Sequence, residues 1–396
     1  MSAVRILFLN WRDTSNPEGG GSERYVENIA TRLASGGHTV TVFCAAHAHA
    51  PADETTAGVR YVRRGSKLGV YPQALWHLAA RRLGRVDVVV DVQNGVPFLS
   101  RLVTRKPVVV LVHHVHREQW HVVYGPLRAR IGWWIESRVA PALYRRSQYV
   151  AVSEVTRNEL VGLGVDHQRI AVVHNGTEPA LSSTVPRSEH PLLCVLGRVV
   201  PHKRVEHALE TVRRLSTDLP DLRLTVVGQG WWEERLRSAA RERGVDHLVE
   251  FTGFVDDAEK HAVLARSWVL LVPSLKEGWG LSVVEAASHG VPTVAYRSAG
   301  GVAESVQDGE TGVLVEDDLD AFTIATSRLL ADNTLRHQMG SAARERAVRF
   351  TWDAAADSFL MVVRTAVDGL RREDSDPGTP EDQRPEDLLG AGQRLP

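Results

Sequence analysis

Residues 192–210 read LLCVLGRVVPHKRVEHALE. The stretch parses as strand, loop, helix. A short, nearly continuous apolar run belongs in a parallel sheet covered on both faces. Arg198 follows Gly197 at the strand end, and Lys203 stands five residues later, just before the helix. A planar guanidinium and a compact ammonium beside a helix N-terminus suit a diphosphate. Two solvated surface charges are the competing reading.

The same alternation runs outward in both directions. Downstream come LRLTVVG (222–228), LVEFTG (248–253), WVLLVP (268–273), PTVAY (292–296) and TGVLV (311–315), with helical segments between them. Upstream lie VRILFLN (4–10), HTVTVFC (38–44), VDVVVDV (86–92), PVVVLVHH (107–114), SQYVAVS (147–153) and AVVHNG (171–176). A helix is expected over 22–37, with Ser22 as its N-cap. The polar stretch PALSSTVPRSEHP (179–191), with three prolines and three serines, interrupts the series and reads as an interdomain linker. The expected architecture is α/β, with two Rossmann-like doubly wound domains facing across a cleft. The first covers 1–180, the linker 181–191 and the second 192–349. The final stretch, 373–396, carries seven acids and four prolines without a helical period, and is expected to be a disordered acidic tail.

Composition narrows the function. A chain of 396 residues exceeds one ordinary core, and a net charge of −1 argues against a dedicated nucleic-acid binder. Two cysteines, Cys44 and Cys194, both in apolar runs, read as buried strand thiols and exclude a disulfide framework. No signal-peptide pattern and no apolar run long enough to span a bilayer is visible, so a cytoplasmic location is expected.

Two further stretches carry chemistry. NPEGGGSERYV (16–26) follows the first strand, and its three glycines allow a ligand close to the backbone. It is not the dinucleotide fingerprint. EGWGLSVVE (277–285) begins on the loop after WVLLVP and runs into a helix. Glu277 would project into the cleft, and Glu285 would lie about one turn inside the helix. Two carboxylates there suit the vicinal hydroxyls of a sugar and a ribose. A surface acid and an unrelated helical acid are the alternative.

The E-x7-E spacing of EGWGLSVVE, preceded by LGRVVPHK, resembles the retaining glycosyltransferases of family 4, which have the two-domain GT-B fold. GGGSERYVENIATRLASGGHTVTV, VVHNGTE, VVGQGWWEERL and SAGGVAESVQDGETGVLV extend the resemblance over about residues 4–360. It implies transfer of a hexose from a UDP- or GDP-sugar donor to a hydroxyl acceptor, with no cofactor and no metal. Arg198 and Lys203 would hold the diphosphate, and Glu285 the ribose. Glu277, with the main chain of Gly278, Trp279, Gly280 and Leu281, would meet the sugar. Gly20 and Gly21 would approach the diphosphate from the first domain. His113 would stand near the reacting carbon, though His114 and His116 compete for that place. Residues 350–372, with Thr351 as N-cap, would form a helix crossing back to the first domain. A sugar-nucleotide epimerase of the same fold and a catalytically silent sugar-nucleotide-binding module are the rival readings.

Residues 101–146 carry nine Arg or Lys against two acids, with Trp120, Trp133 and Trp134 among them. Residues 117–146 are therefore a candidate for peripheral membrane contact, and a lipid, glycan or small molecule for the acceptor. A helix packed on the first sheet with a solvated basic face is the competing reading.

Overall fold

The computed structural model describes residues 2–178 and 185–375. The first sheet has eight strands: β1 (Arg5–Leu9), β2 (Thr39–Cys44), β3 (Asp53–Thr56), β4 (Val59–Arg63), β5 (Val88–Gln93), β6 (Val108–Val112), β7 (Gln148–Ala151) and β8 (Ile170–Val172). Their order is β3-β4-β2-β1-β5-β6-β7-β8, and only the β3–β4 pair is antiparallel. The second sheet has six parallel strands: β9 (Leu192–Leu196), β10 (Arg223–Val227), β11 (Val249–Gly253), β12 (Val269–Val272), β13 (Thr293–Tyr296) and β14 (Gly312–Val315), in the order β11-β10-β9-β12-β13-β14. Every residue of β5, β6 and β12 is buried, as strands covered on both faces require. Both cysteines are free and buried in strands. These are the two Rossmann-like domains of a GT-B fold.

The chain order reverses beside β1 in the first sheet and beside β9 in the second. At such switch points the loops leaving the carboxyl ends of neighbouring strands diverge and leave a crevice. The Arg198 loop leaves β9 and the Glu277 loop leaves β12, so topology alone brings these two stretches together.

Several contacts hold the domains face to face. The Glu304 carboxylate accepts from the backbone N–H groups of Glu154 (2.9 Å) and Val155 (2.5 Å), which open a helix of the first domain. Lys276 pairs with Glu159, and the Gln229 side chain donates to the Pro17 carbonyl at 3.0 Å. The final helix, Trp352–Ser375, lies on the first domain. Phe359 stacks on Phe8 at 5.7 Å, and Trp352 meets Tyr25 edge-on at 5.9 Å. The Thr351 hydroxyl accepts from the Ala354 N–H at 3.2 Å, which is an N-cap.

Three expectations need correction. The helix continues to Ser375, past the boundary at 372, and residues 376–396 of the expected tail lie outside the described residues. Of the expected linker, residues 185–191 are docked on the second domain. The Trp268 indole donates to the Ser188 carbonyl at 2.8 Å, and Arg187 donates to the His289 carbonyl at 3.0 Å. The helix expected from Ser22 spans Gly21–Ser35 instead. Its cap is reciprocal to the usual one: the buried Glu23 carboxylate reaches back to the Gly20 N–H at 2.8 Å.

Candidate active site

The floor of the cleft is built at the carboxyl ends of β9 and β12. Gly197, Arg198, Lys203, Ser274 and Glu277 line a space of about 300 Å³, measured with its open mouth. A 3₁₀ turn, Pro201–Lys203, swings Lys203 over the strand end, and its ammonium pairs with Glu277. The Ser274 hydroxyl donates to the same carboxylate oxygen at 2.7 Å. Burial pushes the Glu277 carboxyl up, but Lys203 and Ser274 outweigh it and hold it below the ordinary range. It is therefore ionised at neutral pH. Burial lowers the Arg198 guanidinium, against the nearby Glu23 carboxylate, and an arginine starts high enough to remain a cation.

The facing wall comes from the loops after β1 and β6. Gly20 lies against Arg198: a Cβ there would sit 3.0 Å from its Nε. Behind it, Arg12 and Glu23 are both buried, 3.6 Å apart, and Arg12 also pairs with Glu18 at 2.8 Å. His113 is buried edge-on to Tyr25 at 5.3 Å. Its carbonyl touches the second domain, where a Cβ on Gly278 would stand 2.3 Å from that oxygen. No other residue fits at 278 without parting the domains.

The three neighbouring histidines are distinct. His114 is engaged with Gln119 at 2.9 Å, and His116 with buried Glu136 at 3.1 Å. His113 Nε2 is buried without a hydrogen-bond partner among the described residues. Burial pushes the His113 imidazole down to about 4, so it is neutral at pH 7.

Glu285 lies about one turn inside its helix, as expected. Glu285 is not beside Lys203. It is buried on the helix Leu281–Ser288, where its Oε1 accepts from Lys260 at 2.6 Å and lies 3.7 Å from Arg24 of the first domain. Arg24 also bonds Asp257 at 2.8 Å. The Trp279 side chain does not face the cleft. It packs between His174 (4.2 Å) and Phe350 (5.0 Å) at the domain interface, so only its main chain is available to a ligand. Gly280 caps the helix in the left-handed region, φ 85°. Gly21 has open space beside it.

The sequence reading missed Arg12, Glu23, Ser274 and Lys260. Ser274 had a usable signal, standing directly after the strand end that was singled out. Arg12 and Glu23 flank the glycine loop and were legible as charges there. Nothing local marks Lys260 as a partner of Glu285. No group of three or more His, Cys, Asp or Glu among the described residues is placed to hold a metal ion. The sequence has two D-x-D patterns, DLD (318–320) and DSD (374–376); Asp318 is an N-cap accepting from the Ala321 N–H at 2.7 Å, and the second extends past the described residues.

Two cations and a buried carboxylate on one wall, against a neutral histidine on the other, suit an anionic diphosphate joined to a polyhydroxylated group. The comparisons agree in kind. A profile described as Glycosyltransferase Family 4 matches residues 19–181, and one described as Glycosyl transferases group 1 matches 179–346. The GDP-mannose-dependent alpha-(1-6)-phosphatidylinositol monomannoside mannosyltransferase of Mycolicibacterium smegmatis is 30% identical, over 84% of this chain and 91% of that one. A glycogen synthase of Mycobacterium tuberculosis is 26% identical, over 93% and 96%. In fold, the sucrose-phosphate synthase of Thermosynechococcus elongatus superposes with a TM-score of 0.77 at 19% identity, over 92% of this chain and all of that one.

Proposed function

The chain belongs to glycosyltransferase family 4, and we propose that it moves a hexose from a UDP- or GDP-sugar to a hydroxyl acceptor with retention at the anomeric carbon. The observation that carries this reading is the convergence of Arg198, Lys203 and Glu277 at the carboxyl ends of β9 and β12, opposite His113. Arg198 and Lys203 take the diphosphate. The Lys203 ammonium, now on Glu277, shifts toward the phosphates, and the released carboxylate accepts from sugar hydroxyls. Main-chain N–H groups of Gly278 to Leu281 add donors to the leaving group. The bond from the anomeric carbon to the phosphate oxygen breaks as the acceptor oxygen bonds that carbon on the same face. The acceptor's proton leaves with the departing diphosphate oxygen. Neutral His113 offers a hydrogen bond to the sugar near the reacting carbon. Glu285 receives the ribose hydroxyls in exchange for part of its contact with Lys260 and Arg24.

Because two cations and the loop amides neutralise the leaving group, the reaction runs without a divalent metal. A lipid or cell-envelope glycan is the acceptor class, and the relative that acts on a phosphatidylinositol monomannoside supports it. The enzyme works in the cytoplasm with residues 117–146 against the membrane. Incubation with UDP- and GDP-hexoses in EDTA tests the core of the reading. Slow release of one nucleoside diphosphate supports it. An epimerised donor, binding without turnover, or activity only after adding magnesium or manganese contradicts it.

A further inference from the structure

We propose that the helix Pro126–Trp134 is a docking face for an anionic bilayer surface, held beside the cleft. The inference rests on the reading of a lipid-borne acceptor, but its observations are independent of the donor site.

The orientation of this helix is fixed from beneath. Ala129 and Gly132 turn inward and are buried. A Cβ at Gly132 would lie 2.4 Å from the Trp120 ring, so the helix is seated directly on that indole. Trp120 in turn donates to the buried Glu136 carboxylate at 2.7 Å, and Glu136 also holds the His116 N–H at 3.1 Å. With that face committed, the opposite one is bound to point outward. It carries Leu127, Ile131 and Trp134, which are 72%, 50% and 60% exposed. Their spacing of four and then three residues makes one stripe along the helix. Val122 and Tyr124, just upstream, are exposed as well.

The segment that carries the stripe exposes mostly one sign of charge, with Arg128 and Arg130 on the same helix. Arg117, Arg128, Arg130, Arg138, Arg145 and Arg146 are all exposed, while of the two acids in the segment Glu136 is buried and only Glu118 is exposed. Large apolar side chains with a tryptophan, beside Arg128 and Arg130 on the same helix, match the boundary between acyl chains and anionic headgroups. A chain with net charge −1 has no general attraction for such a surface, so the charge is local to this face. Among the described residues no helix is long and apolar enough to cross a membrane, so contact would be interfacial.

Position gives the face its use. The helix Arg117–Val123, continuous with this segment, packs against the turn Pro201–Lys203 of the other domain. A bilayer under Leu127, Ile131 and Trp134 therefore lies near the cleft mouth, within reach of a hydroxyl that stays in the membrane.

Flotation of the full chain with vesicles, without donor, tests this. We expect binding to vesicles of equal phosphatidylcholine and phosphatidylglycerol, little to phosphatidylcholine alone, and weakening with salt. Arg128→Gln with Arg130→Gln should lower partitioning ~30-fold, since each basic residue near such a surface is worth about a factor of five. Leu127→Ser/Ile131→Ser/Trp134→Ser should abolish binding, with unchanged circular dichroism and donor hydrolysis. Failure to bind anionic vesicles, or equal binding by these variants, overturns the proposal. So does a dimer in light scattering that the triple serine variant makes monomeric, because the stripe would then seat a second copy. Donor hydrolysis without vesicle binding would leave the transferase reading intact and remove only this one.

Discussion

Glu277 and Glu285 belong to one short motif, yet their surroundings differ in kind. Glu277 is held within its own domain, by Lys203 and Ser274 on the loops at the ends of β9 and β12. Glu285 is held by Lys260 of its own domain and approached by Arg24 of the other. The first carboxylate is set by local topology. The second is set partly by closure of the two domains, because one counter-ion rides on the opposite wall. The difference teaches that a sequence motif with two identical residues can serve two functions. In the proposed reaction one end is a fixed part of the reaction centre, and the other would couple ligand binding to domain position.

The largest test of that contrast is Lys203→Ala. It strips the cation from a buried carboxylate and from the proposed diphosphate at once. Turnover should fall on the order of 10²–10³-fold, as for loss of one transition-state electrostatic contact. Steady-state kinetics with unchanged turnover would remove Lys203 from the reaction centre.

Next in size is the division between the carboxylates. Glu285→Ala should weaken nucleoside diphosphate binding by ~1.5–3 kcal/mol, the value of hydrogen bonds to a charged acceptor. Glu277→Ala should mainly lower turnover. Equal affinity losses in titration calorimetry would erase the distinction.

Acid sharpens the comparison on the Glu277 side. Burial lowers His113 and His202 to about 4, from an ordinary value of 6.5. Between those values the unfolded chain binds protons that the folded one does not. Stability contributed by these neutral imidazoles is therefore complete above ~6.5 and falls with pH toward 4, by up to ~1.4 kcal/mol per pH unit for each. Urea denaturation across that range should show a shallower slope in His113→Gln/His202→Gln than in the wild type. Identical slopes would mean that neither imidazole is held neutral by the fold.

The smallest effect belongs to Arg24→Ala. Glu285 keeps Lys260, and Arg24 is partly exposed, so nucleotide affinity should change by less than ~1 kcal/mol. A loss as large as that of Glu285→Ala would make Arg24 a direct ligand contact rather than a closure contact.

Much of this molecule could be read from its sequence because the sheets are parallel and buried. β6 and β12 are apolar throughout, and β5 is broken only by buried Asp91 and Gln93, so each stands out as an apolar run. The β3–β4 hairpin was missed for the opposite reason: DETT is a polar edge strand without that pattern. Arg198, Lys203 and Glu277 were legible because strand ends are where an α/β sheet presents ligands. Partners joined only by tertiary packing were not. Arg24 and Lys260 stand far from Glu285 in the chain, and no spacing links them. The place of the Trp279 ring was not legible either, because its neighbours His174 and Phe350 are distant in the chain and meet it only by tertiary packing. The three adjacent histidines could be told apart only through Gln119 and Glu136.

The central claim is that the loops after β9 and β12 hold a nucleoside diphosphate with side-chain cations and no metal. Titration calorimetry of UDP and GDP in EDTA, into the wild type and Arg198→Ala, addresses it most directly. The account predicts saturable one-to-one binding of one nucleotide by the wild type, weakened on the order of 10–100-fold by the substitution, as for a charge-assisted contact worth ~1.5–3 kcal/mol. Binding that appears only when a divalent metal is added, or equal affinity in both proteins, would contradict it.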